Sequence, residues 1–257
     1  MKEGQKLWTR NELILAINLY CKLPFGKLDK SNVQVINLAS LIGRTPSSIA
    51  YKLVNFASLD PSLKARGIKG ASNASKLDKT IWDEFFDNWD ELPFESEKLL
   101  AKIKNTSIEI LNNINENEFL KEGKTREQLV KVRVNQSFFR SSILASYNNT
   151  CCITGLNQPE FLIAGHIKPW SIDKKNRLNP QNGIAINALH DKAFETGLMT
   201  ITTDYKIKIS PILLKQKKEK SFEDFFHNYD NKEIILPSRF LPDIEFLKYH
   251  NDVRFKY

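Results

Sequence analysis

Two short apolar segments and a helix signal lie close together in the C-terminal half of the chain. Residues 161–164 form the first apolar segment, Ile184 and Ile186 belong to the second, and a helical pattern begins near Leu189. A polar loop separates the two apolar segments. Short apolar runs bounded by turn residues are typical of strands. The order strand, loop, strand, helix therefore predicts a ββα unit.

The N-terminal part of the chain carries the signals of several helix starts. Each start pairs a capping side chain with a residue typical of the first helical turn. The three starts are Thr9 with Glu12, Ser31 with Gln34, and Thr45 with Pro46. Gly43 is placed to end the second helix. Two helices joined by a tight turn predict a helix-turn-helix module, which loosely resembles the three-helix Myb/SANT module.

These patterns divide the chain into three zones and predict an α+β protein. Residues 1–95 form a helical module, and residues 96–130, which are rich in Lys, Glu and Asn, form a helical linker. Residues 131–257 hold the predicted ββα unit. We find no internal repeat and no low-complexity tract.

The charge of the chain indicates a polyanionic partner. Its formal net charge is +8 and its pI is about 9.2. Such a balance favours nucleic acid first and an anionic membrane second. Lys-rich composition from an AT-rich genome is the alternative explanation, so charge alone does not decide the function.

Cysteine usage and hydropathy indicate a soluble, cytoplasmic protein. Cys21, Cys151 and Cys152 include no Cys-x-x-Cys pair, which disfavours a zinc knuckle or ribbon. We expect three reduced thiols in the protein interior. No apolar run reaches the length of a membrane span, so no membrane association is expected.

One group of side chains near the predicted ββα unit has the chemistry of phosphodiester hydrolysis. That reaction needs a base to activate water and a hard cation to stabilise charge on the phosphate. His166 follows the first predicted strand, and His190, Asp191 and Glu195 lie on the predicted helix. Asp191 and Glu195 are four residues apart and share one helix face. The alternative for His190 is a hydrogen-bonded structural residue.

Five motifs in this half of the chain together resemble the HNH endonuclease family, in its bacterial restriction-like branch. In chain order they are Arg133-x-x-Gln136-x-x-Phe139-Arg140, Cys152-Ile-Thr-Gly155, Ala164-Gly-His166-Ile-Lys-Pro169-Trp170, Asn182-Gly183, and His190-Asp191-Lys-Ala-Phe194-Glu195-x-Gly197-Leu198. Any one motif alone is weak, but five in the right order are specific.

The resemblance implies a role for each matching residue. His166 falls at the general base, and Asn182 falls at the residue that braces the loop holding that base. His190, Asp191 and Glu195 lie where the family helix presents its metal ligands, with the choice between His190 and Asp191 left open, and the implied ion is one Mg²⁺ or Mn²⁺. Gly165 departs from the family, which often has a His or Asp ligand there. A plain Asn-Gly hairpin turn is the alternative for Asn182.

The resemblance implies a metal-dependent DNA endonuclease, restriction-like or active in phage defence, that cuts double-stranded DNA. A non-catalytic DNA-binding regulator and a nonspecific or structure-specific nuclease are the alternatives, and a homodimer is left open. The predicted DNA-binding residues are Arg44, Ser47, Ser48, Tyr51, Lys52, Asn55, Arg66, Lys69, Arg133, Gln136, Arg140 and Lys168. For Arg133, Gln136 and Arg140, bracing of the protein core is an equal alternative.

Overall fold

The computed structural model describes residues 6–68, 74–86, 88–114, 125–215 and 219–257. The described chain forms two compact units, one that ends at Ser141 and one that begins at Ser142. Helices dominate both, and the second unit also holds two small sheets. A mixed helical and sheet protein is therefore confirmed.

Every regular element among the described residues of the first unit is a helix. Its helices are α1 (Arg10–Lys22), α2 (Val33–Leu41), α3 (Pro46–Leu59), α4 (Pro61–Ala65), α5 (Lys76–Phe86), α6 (Leu92–Lys104), α7 (Ile108–Leu111) and the larger part of α8 (Arg126–Ser146). Helix α1 contacts α2, α3, α5 and α6. Because its residues 12–21 are all buried, α1 is the centre of this unit.

Local capping chemistry explains where these helices begin. Thr9 and Glu12 form the predicted capping box, and the Thr45 side chain accepts a hydrogen bond from the Ser48 backbone N–H. The capping box predicted at Ser31 is wrong, because α2 begins at Val33 and its N-cap is one residue later than predicted. Asn32 caps α2 instead, while the Ser31 side chain donates to Asp29.

The segment predicted to be a linker packs within the first unit. Phe94 on α6 forms a buried cluster with Val130 and Val134 on α8, and Ile108 on α7 packs against it. A Lys- and Glu-rich stretch can still pack, because a helix can bury its apolar residues on one face and expose its charged residues on the other. The two compact units divide within α8, between Ser141 and Ser142.

The second unit contains the predicted ββα arrangement. Strands β1 (Leu162–His166) and β2 (Gly183–Asn187) are antiparallel, and His166 pairs with Gly183. Helix α9 (Ala188–Glu195) follows β2 directly, with Asn187 as its cap, and contacts both strands. The remaining strands and helices are β3 (Met199–Ile201), β4 (Ile207–Ile209), α10 (Pro211–Leu214), α11 (Lys220–Phe225), α12 (Ile244–Tyr249) and a π-helical turn (His250–Arg254).

The three cysteines are buried free thiols, as predicted. Within the described residues, no helix combines the length and the hydropathy that a bilayer span requires.

Candidate active site

A cleft of about 530 Å³ in the second unit gathers most of the predicted catalytic side chains. His166 from the end of β1 and Asp191 and Glu195 from α9 line it together. The topology explains this convergence. Strands β1 and β2 are antiparallel, so His166 at the end of β1 pairs with Gly183 at the start of β2. Helix α9 follows β2 without a loop and contacts both strands. Residues far apart in the polar loop and the helix therefore meet at one place.

His166 is held in a single tautomer by a backbone carbonyl. Its Nε2 atom lies 2.8 Å from the carbonyl oxygen of Arg177. Since a carbonyl oxygen only accepts hydrogen bonds, Nε2 carries the proton and Nδ1 carries the basic lone pair. The edge of the Trp170 ring packs against the imidazole, with 5.4 Å between ring centres. Burial lowers the pKa of His166, because the charged imidazolium is less stable away from water.

Asn182 braces the loop that follows His166. Its side chain is fully buried, and its Oδ1 accepts a 2.8 Å hydrogen bond from the Lys168 N–H. Its Nδ2 donates to the carbonyl oxygens of Lys168 and Asn176, each at 3.1 Å. The alternative of an Asn-Gly hairpin turn is wrong, because Gly183 has an extended φ of −141° and begins β2.

Asp191 presents a half-buried carboxylate to the cleft. Burial raises its pKa, and the nearby Glu195 carboxylate adds to the effect. Among the described residues, no side chain or backbone group makes a hydrogen bond to the Asp191 carboxylate. Glu195 is more exposed and pairs with Lys192 at 2.9 Å, which lowers its pKa. A desolvated carboxylate beside a second one is a donor set suited to a hard cation.

Gly165, which stands where the resembled family often has a His or Asp ligand, is packed against Asp191. A Cβ atom at this glycine would lie 2.7 Å from the Asp191 Oδ1 atom and 3.3 Å from Ile186 Cγ2. Since real Cβ atoms do not approach other atoms that closely, the absent side chain is what lets the Asp191 carboxylate lie against β1. The departure from the family pattern is thus coupled to the position of the helix carboxylate.

His190 lies outside the cleft, so the structure does not bring the three predicted metal ligands together. Its Nδ1 atom is 2.9 Å from Asn187 Nδ2, and its Nε2 atom is 2.6 Å from the carbonyl oxygen of Phe225. Both ring nitrogens therefore serve as structural contacts in a buried side chain. Across the described ranges, no three His, Cys, Asp or Glu side chains are grouped to hold a metal ion.

Three residues of the first unit that the sequence predicts to contact DNA make contacts within the protein: Lys52 and Asn55 are buried, and Arg44 is partly buried. Lys52 and Asn55 are 6% and 1% exposed, because α3 packs against α5 on that side. The Lys52 ammonium pairs with Asp78 at 2.8 Å. Arg44 pairs with the Glu12 carboxylate at 2.8 Å and stacks over the Trp8 ring. Helical spacing alone does not reveal that a second helix covers this face.

Other predicted DNA-contacting residues do reach the surface. Tyr51 is 48% exposed, and Ser47 is exposed while Ser48 is half-buried at the start of α3. The other predicted DNA contacts of the first unit that are exposed are Arg66, Arg133, Gln136 and Arg140. Lys69 lies outside the described residues.

Lys168, the remaining predicted DNA contact, is engaged inside the second unit. Its Nζ atom pairs with Asp173 at 3.0 Å and lies over the Tyr249 ring. It therefore stabilises the loop that Asn182 also braces.

Two elements of the site escaped the sequence analysis. The first is the Arg177 carbonyl that orients His166, which no sequence signal could reveal because every residue has a carbonyl. The second is the C-terminal segment, which brings Tyr249, His250 and Arg254 to the cleft. The buried His250 holds this segment in place, because its Nε2 donates to the Phe194 carbonyl oxygen at 3.1 Å and its Nδ1 accepts from the Thr200 hydroxyl at 2.7 Å.

Residues 151–202 match a family described as HNH endonuclease. The matched residues span β1, β2, α9 and β3, and therefore contain His166, Asn182, Asp191 and Glu195. No curated protein matches the chain.

Proposed function

We propose, on the premise that residues 151–202 are an HNH endonuclease segment, that the chain is a metal-dependent DNA endonuclease with His166 as general base. The observation that carries this proposal is the shared cleft, in which His166 lies with Asp191 and Glu195. A base and two carboxylates at one cleft are what hydrolysis of a phosphodiester requires.

His166 is prepared for proton transfer before any substrate arrives. Its proton is held on Nε2 by the Arg177 carbonyl, so Nδ1 accepts the proton of a water molecule. The resulting nucleophile attacks the phosphorus in line with the leaving 3′ oxygen, and the products carry 5′-phosphates. Because the Arg177 carbonyl also stabilises an imidazolium, the same contact supports the protonated base after transfer.

The donor set of the cleft fits Mg²⁺ or Mn²⁺. Asp191 and Glu195 would hold the ion, and its chemistry is to neutralise charge that builds on the phosphate and the leaving oxygen. Mg²⁺ is often bound by one or two carboxylates together with water and substrate phosphate, so two protein ligands suffice. His190 is excluded from this pair by its contacts with Asn187 and Phe225.

The first unit supplies a DNA-reading surface in this proposal, as in a restriction-like or phage-defence enzyme. Short polar residues at the start of α3, Ser47 and Ser48, suit contacts with base edges, and the exposed Tyr51 lies one turn further on. The formal net charge of +8 favours a DNA partner. We propose that the first unit reads DNA in the manner of the Myb/SANT module that its sequence loosely resembles.

Nicking of a supercoiled plasmid tests the proposal against a non-catalytic DNA-binding regulator. The wild-type protein, His166→Ala and His227→Ala are compared in Mg²⁺, Mn²⁺, Ni²⁺ and chelator. His227 is an exposed histidine outside the cleft, which makes it a matched control. We expect the wild-type protein and His227→Ala to cut only when a metal ion is present. His166→Ala should cut about 100-fold more slowly, and its DNA affinity should stay within a few fold of the wild-type affinity.

Binding without cutting in all three metals would establish the regulator instead. Cutting by His166→Ala at the wild-type rate would leave a nuclease but refute His166 as its base.

A further inference from the structure

We propose that Arg254 binds a DNA phosphate in the catalytic cleft, and that the C-terminal segment is therefore part of the active site. This inference rests on the proposed nuclease function. Arg254 lies outside the residues that match the HNH endonuclease family, which end at 202.

The charges of the cleft indicate the need for such a residue. Asp191 and Glu195 bring two carboxylates to the cleft wall. Among the described residues that line the cleft, Arg254 alone is a lysine or arginine. A divalent ion held by Asp191 and Glu195 would offset only the charges of these two carboxylates, so the negative charge of an incoming phosphodiester needs a further cationic group. The structure offers Arg254 as the permanent cation of that wall.

Arg254 is held at the cleft by a contact that leaves its phosphate-binding capacity intact. One guanidinium nitrogen, Nη2, donates to the backbone carbonyl of Glu195 at 2.6 Å. That carbonyl belongs to the last turn of α9, where positive charge is favoured. Guanidinium has five N–H donors in a planar fork that matches two oxygens of a phosphate. The contact with Glu195 therefore orients the side chain without exhausting its donors.

The backbone that carries Arg254 is docked tightly on the ββα unit. The Lys256 N–H donates to the Gly197 carbonyl at 2.9 Å, and the Asn251 side chain donates to the Ile201 carbonyl at 2.8 Å. Gly197 has a φ of +75°, and a Cβ there would lie 1.9 Å from the Arg254 carbonyl oxygen. Only glycine permits this approach. The glycine of the Glu-x-Gly motif thus serves to admit the C-terminal segment.

The test compares Arg254→Gln with Lys256→Gln, which removes the same formal charge from an exposed residue that does not line the cleft. Plasmid cleavage in the preferred metal is measured for both. DNA affinity is measured as a function of salt in chelator, with both substitutions placed in a His166→Ala background. Thermal unfolding of every variant shows whether the C-terminal segment stays docked.

We expect Arg254→Gln to lower kcat/KM at least about tenfold relative to Lys256→Gln, with an unchanged unfolding temperature. The slope of log affinity against log salt should fall by about 0.9, the value for one phosphate contact on duplex DNA. Arg254→Lys, which keeps the charge but loses the planar fork, should fall between wild type and Arg254→Gln.

The inference is overturned if Arg254→Gln and Lys256→Gln match within twofold in cleavage and salt slope. It is also overturned if Arg254→Gln lowers the unfolding temperature and Arg254→Lys restores stability without restoring cleavage. A wild-type protein that never cuts DNA refutes the proposed function instead, and the chelator measurements still report whether Arg254 binds phosphate.

Discussion

The Nε2 atom of His166 lies 2.8 Å from the backbone carbonyl oxygen of Arg177. Eleven residues of polar loop bring that carbonyl back to the end of β1, and the Arg177 side chain secures the return by donating to the Trp170 carbonyl at 2.8 Å. The Asn182 side chain ties the same loop at both ends. The orientation of the proposed base is therefore a property of the folded loop.

The pH dependence of cleavage should reflect the lowered pKa of His166. Because the neutral imidazole is the active form and burial lowers its pKa, the rate should fall on acidification with a midpoint below the ordinary histidine value of about 6.5. The measurement is kcat/KM from pH 5 to 8, together with an NMR titration of the His166 ring without metal. A midpoint at or above about 6.5 would contradict the prediction.

Asp191→Asn should weaken metal activation, whereas His190→Gln should not. Loss of a metal-ligating carboxylate is expected to raise the metal concentration needed for half-maximal cleavage by about tenfold or more. His190→Gln should lower stability, since both ring nitrogens make structural contacts. Asp204→Asn, an exposed carboxylate outside the cleft, is the control. Equal metal responses of Asp191→Asn and Asp204→Asn would remove Asp191 from the site.

Lys52→Met should destabilise the first unit, and because Lys52 is buried the substitution should remove no contact with DNA. It leaves the fully buried Asp78 carboxylate without its cation, and breaking such a pair typically costs about 3–5 kcal/mol. Lys52→Met with Asp78→Leu should recover most of that loss, because no buried charge is left over. Urea unfolding of the wild-type protein, Lys52→Met and the double variant measures both effects. If Lys52→Met left the free energy of unfolding unchanged, the Lys52–Asp78 pair would have to be solvated.

Tyr51→Ala should change where the enzyme cuts without slowing cleavage of nonspecific DNA. Tyr51 is exposed near the start of α3, where a side chain can reach base edges. Sequencing the ends of digested genomic DNA compares the variant with wild type. Leu77→Ala, an exposed apolar residue of α5, is a suitable control. An unchanged cut-site profile in Tyr51→Ala would move the reading surface away from α3.

The second unit should lose stability in mild acid because of His250. Burial lowers the pKa of His250 to about 4, so between that pH and the unfolded value near 6.5 the unfolded chain binds the extra proton. The contribution is fully present at pH 7 and is lost as the pH falls toward 4. A tenfold change in proton affinity is worth about 1.4 kcal/mol, so the loss is on the order of 3 kcal/mol.

Urea unfolding of wild type and His250→Gln at pH 7, 5.5 and 4 measures this contribution. The variant should be less stable at pH 7, since the contacts with Thr200 and Phe194 are altered, but its stability should decline less on acidification. Parallel declines in the two proteins would show that His250 is not the group responsible.

The sequence alone determined the local structure of this protein. Capping residues such as Thr9 and Thr45 set helix starts because they act on backbone groups within one turn, and the spacing of apolar residues predicted the ββα unit. Five motifs in order gave the resemblance to the HNH endonuclease family, and the family match at residues 151–202 covers the last four of them. These signals involve neighbours in sequence, so they can be read without knowledge of long-range contacts.

Only the tertiary structure decided which side chains share a surface. Lys52 and Tyr51 are adjacent in sequence, yet α5 covers one and leaves the other exposed. His190 and Asp191 are also adjacent, yet one ring is bound by Phe225 and the other side chain enters the cleft. Arg254 reaches that cleft because Gly197 has no Cβ. Burial and long-range hydrogen bonds depend on elements distant in sequence, and no local pattern encodes which of them will cover a given helix face.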